Sequence, residues 1–109
     1  MTLVELTRDL VSIPSHADET AAGDFLAAWL RRETDADVRR DEAGNVFARK
    51  GGGDETLALV GHHDVVEPAD SQVVATGNEY TVDERDGRLY GRGTADMKGA
   101  LAAALLAFR

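Results

Sequence analysis

A chain of 109 residues suits one small domain or part of a larger one, and a hydrophobic share of 43% is ordinary for a globular protein. A formal net charge of −8 argues against nucleic acid as a partner. The absence of cysteine excludes disulfides, a thiolate nucleophile and Cys-ligated zinc, so any metal must be held by imidazole and carboxylate.

In chain order, Met1–Leu10 carries Glu5, Arg8 and Asp9 and lacks the long apolar core of a secretory signal. Thr2 and Glu5 have the spacing of a capping box. Leu3, Leu6, Leu10 and Ile13 follow at helical spacing, and Pro14 marks the stop. Ser15–Glu19 is a polar connection, and His16 within it is expected at the surface. Ala22, Phe25, Leu26, Trp29 and Leu30 then draw an amphipathic stripe that predicts a helix to about Glu33, with its aromatic residues in the core.

A second regime begins near Ala36. Val38, the turn residues Asp41-Glu42-Ala43-Gly44-Asn45 and the run Val46-Phe47-Ala48 predict a two-strand hairpin. Gly51-Gly52-Gly53 reads as a surface loop and lacks the lysine and hydroxyl of a phosphate cradle. Leu57–Val60 is a short apolar run closed by Gly61, expected to be a buried strand. Glu67–Asp86 is mostly polar and long for a structureless connection. Asp86-Gly87-Arg88 predicts a turn, with Leu89-Tyr90 as one more short strand. Met97, Leu101, Leu105 and Phe108 share one face of a final helix. The apolar run Ala100–Phe108 is too short to span a bilayer, so no membrane association is expected.

Chemistry concentrates in two stretches. Gly61-His62-His63-Asp64 places two imidazoles and a carboxylate at the end of an apolar run, where open α/β sheets keep their sites. His62 and Asp64 stand two apart, so an extended chain points both to one face, as a metal-bound imidazole and its orienting carboxylate require. The second stretch is Gly91-Arg92-Gly93-Thr94-Ala95-Asp96-Met97-Lys98-Gly99. Taken singly, each has a plainer meaning. His-x-Asp is an imidazole capped by a carboxylate, Asp96 is a helix N-cap, and Gly-x-Gly is a turn.

Taken together, the two stretches resemble the metal-dependent amidohydrolase and exopeptidase family of acetylornithine deacetylase, succinyl-diaminopimelate desuccinylase, glutamate carboxypeptidase and aminoacylase. That family's first motif is similar to Gly61-His62-His63-Asp64-Val65-Val66, with Glu67 here inserted before Pro68. Its second motif is complete from Gly91 to Gly99. The resemblance covers nearly the whole chain. It implies an α/β fold, the N-terminal part of a zinc-peptidase-like catalytic domain, with helices packed on a mixed β-sheet and the domain incomplete. Residues 1–109 would be that partial domain, without the dimerisation domain or the C-terminal half.

The resemblance implies His62 as a metal ligand, Asp96 as the carboxylate bridging two zinc ions, and Asp64 as the catalytic-site aspartate beside His62. It also implies a cis peptide after Asp96, and structural roles for Arg92 and Lys98; His63 falls at a variable position. The cofactor would be Zn2+, two per complete site, with Co2+ or Mn2+ as substitutes. The reaction would be hydrolysis of an amide bond in a small-molecule N-acyl amino acid or peptide by an activated water. The whole protein would be a cytoplasmic homodimer.

The family's general base and remaining ligands, a Glu-Glu pair, a further acidic residue and a late histidine, have no counterpart in these 109 residues. A catalytic zinc needs about three protein ligands. The chain is therefore expected to be inactive alone, to bind metal weakly and to leave a sheet edge exposed. Two alternatives stand beside this: a non-catalytic interaction module derived from such an enzyme, and a related two-zinc aminopeptidase. The basic residues are ten arginines and only Lys50 and Lys98. An acidic, lysine-poor surface suits a high-salt cytoplasm, or simply a GC-rich genome. The first origin predicts a melting temperature that rises between low and molar KCl.

Overall fold

A computed structural model describes residues 2–109; Met1 lies outside the described residues. Helix α1 is Leu3–Ser12. The expected capping box holds it open at the start: Glu5 N–H donates to Thr2 Oγ1 at 3.1 Å, and Thr2 N–H donates to Glu5 Oε2 at 2.8 Å. Helix α2 is Thr20–Glu33. Its first amide is capped from outside, since Thr20 N–H and Oγ1 both donate to Asp18 Oδ1.

Strands β1 (Asp37–Arg40) and β2 (Val46–Arg49) form the expected antiparallel hairpin, pairing Asp37 with Arg49 through to Arg40 with Val46. Asp41 closes the turn by accepting from Asn45 N–H and Nδ2. Arg40 ties the hairpin to α2 through Asp24.

The long polar connection, too long to be structureless, carries several short elements. A 3-10 turn spans Asp70–Gln72, Val73 and Tyr80 form an isolated bridge, and β3 (Asp83–Arg85) pairs antiparallel with β4 (Arg88–Tyr90). Thr94–Lys98 is a π-helical turn, inside which Asp96 and Met97 depart from helical angles. Helix α3 is Gly99–Phe108.

The three helices enclose the core. Leu6 and Leu10 of α1, Leu26, Trp29 and Leu30 of α2, and Ala102 and Leu105 of α3 pack together. Val38, Val46 and Ala48 of the hairpin lean on this cluster, as do Phe25 and Phe108. The fold is thus mixed α/β, with helices against small antiparallel sheets. No helix among the described residues is long and apolar enough to cross a membrane.

Two expectations are overturned: Met97 lies before the final helix, at non-helical angles in the Thr94–Lys98 turn, and the apolar run ahead of Gly61 is no strand. Leu57–Val60 is not a buried strand: it is unassigned to any sheet and exposed at Leu57 (89%), Leu59 (56%) and Val60 (88%). Among the described residues, residues 54–61 form no backbone hydrogen bond. The apolar run has one flank to pack on, α3, and no neighbouring strand to complete its hydrogen bonding.

Candidate metal centre

Thirty-four positions of sequence separate His62 from Asp96, yet their side chains meet: His62 Nε2 lies 2.9 Å from Asp96 Oδ1. The other ring nitrogen, Nδ1, lies 3.1 Å from the Asp64 carbonyl oxygen and 3.2 Å from its carboxylate Oδ1. Both of those atoms are acceptors, so Nδ1 carries a hydrogen and the ring is fixed with Nε2 toward Asp96. A cation held between Nε2 and the Asp96 carboxylate would occupy the place of a shared proton.

The electrostatics agree. The hydrogen bond to the Asp64 carbonyl is the largest cause of a His62 pKa raised above its ordinary value. Desolvation opposes it, and the Asp96 and Asp64 carboxylates reinforce it.

Each side chain is placed by packing around the two motifs. Gly61 lies so close to α3 that a Cβ there would stand 2.8 Å from Met97 Cε and 2.9 Å from Leu101 Cδ2, so a bare backbone brings the first motif in. His62 N–H points at Met97 Sδ, 3.4 Å away. Gly93, at φ 85°, gives the second motif its left-handed turn, and a Cβ on it would stand 2.4 Å from Val65 Cγ1. The peptide between Asp96 and Met97 is cis, as expected. Asp96 serves no N-cap: it has no cap hydrogen bond, and among the described residues its carboxylate bonds only to His62.

The neighbouring residues divide sharply. His63, left out of the metal set on sequence grounds, turns away from Asp96 and is half-buried, with Nε2 buried and unpartnered among the described residues. Burial lowers its pKa, against the pull of Glu19. It lines a cavity of about 130 Å³ with Glu19, Asn45 and Asp64. Lys98, read as structural, is wholly buried, and burial pushes its pKa down to about 8. His16 is at the surface as expected, but its Nδ1 lies 2.6 Å from the buried Tyr80 hydroxyl. Ser15 and Tyr80 were not legible as important; their bonds join residues 64 and 65 positions apart, which no local pattern signals.

The donor chemistry fits a divalent ion: an imidazole nitrogen and a carboxylate oxygen, mutually in reach, the ring oriented by a second carboxylate. The donor number falls short, because among the described residues no group of three or more His, Asp or Glu is arranged to hold a metal.

Residues 58–109 match Peptidase family M20/M25/M40. The chain is 41% identical over 106 residues to a succinyl-diaminopimelate desuccinylase of Xylella fastidiosa, covering 94% of this chain and 28% of the relative. It is 39% identical over 109 residues to the protein of that name from Stenotrophomonas maltophilia, covering 96% of the chain and 28% of the relative. A [LysW]-lysine hydrolase of Deinococcus radiodurans is 46% identical over 105 residues, 94% of this chain and 26% of that protein. These relatives are hydrolytic enzymes, and over residues 58–109 the chain is similar to the M20 family. It spans little more than a quarter of the length of the curated relatives it matches.

Proposed function

We propose that this chain contributes one terminal ligand, His62, one bridging ligand, Asp96, and an orienting aspartate, Asp64, to the two-metal centre of an amide-cleaving hydrolase. The substrate class is an N-acyl amino acid or small peptide, in keeping with the desuccinylase and lysine hydrolase relatives. The observation that carries this is the meeting of His62 Nε2 and Asp96 Oδ1 across the two motifs.

When bound, a pair of zinc ions would polarise the amide carbonyl and lower the pKa of water toward neutrality. The chain's own residues prepare the site. Asp64 holds the hydrogen on Nδ1, which leaves the Nε2 lone pair for a cation and raises its basicity. Asp96 offers its carboxylate at the same rim with no competing protein donor among the described residues other than His62. Further ligands and a general base must come from outside this set, so turnover belongs to the complete protein, read here as a cytoplasmic homodimer.

A Co2+ titration of the 109-residue chain, followed by visible absorption, tests this. Weak binding is expected, lost in both His62→Ala and Asp96→Asn. Binding that survives both substitutions overturns the assignment, and so does chelator-sensitive amidase turnover by the 109 residues alone. One observation favours a second reading, an interaction module: the exposed, unpaired segment Leu57–Val60 is a surface suited to another polypeptide.

A further inference from the structure

We infer that Lys98 is a positioning residue whose buried ammonium, by gripping the Ile13 carbonyl, sets where Asp96 stands relative to His62. The inference rests on the metal-centre reading above.

Lys98 is 0% exposed, and among the described residues it has no carboxylate partner. Its Nζ donates to Ile13 O at 2.6 Å and sits 5.4 Å from the centroid of the Tyr80 ring. An ammonium in such surroundings is a costly occupant, and a methionine would fill the same space without desolvating a charge. Something other than space-filling therefore accounts for the amine.

The Ile13–Ser15 segment supplies that reason. It grips both motifs at once. Ser15 O accepts from Val65 N–H at 3.2 Å, one residue beyond Asp64. Ile13 O accepts from Lys98 Nζ, two residues beyond Asp96. Tyr80, 2% exposed, locks the segment in place: its hydroxyl accepts from Ser15 N–H at 3.1 Å, and its own N–H donates to Ser12 O at 2.9 Å. Between the two grips Val65 packs against Gly93, and Lys98 N–H donates to Gly93 O at 2.8 Å. Among the described residues the Asp96 side chain has no hydrogen bond except the one to His62. Its position is therefore set through its backbone, and Lys98 supplies a charge-assisted anchor two residues beyond it.

The absence of cysteine allows a test at constant shape. Lys98→Cys is alkylated while unfolded, either with 2-bromoethylamine, which restores an ammonium, or with 1-bromopropane, which leaves a methyl in its place. Both products are refolded and checked by circular dichroism. The imidazole nitrogen signals of His62 are then read by NMR without metal, with Asp96→Asn as the reference for a lost contact.

The aminoethyl form is expected to give wild-type His62 signals. The propyl form is expected to move more than half-way to Asp96→Asn and to bind Co2+ at least tenfold more weakly. A folded propyl form with wild-type His62 signals overturns the inference. So does a propyl form that cannot fold while the aminoethyl form can, which would make Lys98 a determinant of the fold only. Failure of the metal-centre reading would show instead in the wild-type chain, as Co2+ binding indifferent to His62 and Asp96, and the metal-free signals would still decide the role of Lys98.

Discussion

Two apolar stretches of this chain look alike as composition and meet opposite fates. Leu26, Trp29 and Leu30 of α2 are buried in the three-helix core, whereas Leu57, Leu59 and Val60 stand largely in solvent. The difference lies in their partners. The helix satisfies its own backbone and needs only apolar neighbours, which α1 and α3 supply. A strand needs a neighbouring strand as well, and none of the described residues provides one. An apolar run records that a surface is meant to be covered; it does not say by what.

The largest effects should fall on the buried side. Leu10→Ala and Trp29→Ala each remove a side chain with 0% exposure, and each is expected to cost about 3–5 kcal/mol in urea unfolding. Losses below about 1 kcal/mol would mean that the core is loosely packed. Gly93→Ala comes next. It forces a Cβ into a left-handed turn, costing about 1–2 kcal/mol, and against Val65, costing roughly 1–3 kcal/mol. A neutral Gly93→Ala would show that the two motifs do not pack as closely as described.

On the exposed side the expectation reverses. Leu57→Lys and Val60→Lys should change unfolding free energy by no more than about 0.5 kcal/mol. They should nevertheless reduce concentration-dependent self-association in sedimentation velocity, because an open apolar edge invites pairing. A loss of several kcal/mol would instead place these side chains in the core and erase the contrast.

How much of this was legible follows the same division. The Thr2–Glu5 box, the α2 stripe and the Asp41–Asn45 turn are local, and the sequence displays them because their causes lie within a few residues. The His62–Asp64 contact is local too. The meeting of His62 with Asp96 was legible only by pairing two motifs, since nothing in either stretch alone points to the other. Ser15 and Tyr80 gave no signal at all: a serine in a polar connection and a tyrosine in a stretch without period become important through contacts more than sixty residues away. Leu57–Val60 misled because its composition was read as burial.

The smallest effect separates the two adjacent histidines, and it sharpens the contrast to neighbouring residues. His62 is bonded to acceptors on both sides, so its folded pKa lies above the ordinary value of about 6.5. His63 is pushed into the protein, where desolvation disfavours its cation, so its folded pKa lies below it. The linkage signs are opposite. The contribution of His62 to stability is complete below the unfolded value and is lost as pH rises through its folded pKa. His63 leaves stability intact above the unfolded value and erodes it as pH falls toward its folded pKa. The two slopes offset each other, so total stability should change little near pH 6.5, while an NMR titration should resolve one midpoint on each side of it. In Asp96→Asn the His62 midpoint should fall toward 6.5 and that of His63 should stay where it is. Two coincident midpoints would mean that these neighbours share one environment, contrary to the exposure of His62 and the partial burial of His63.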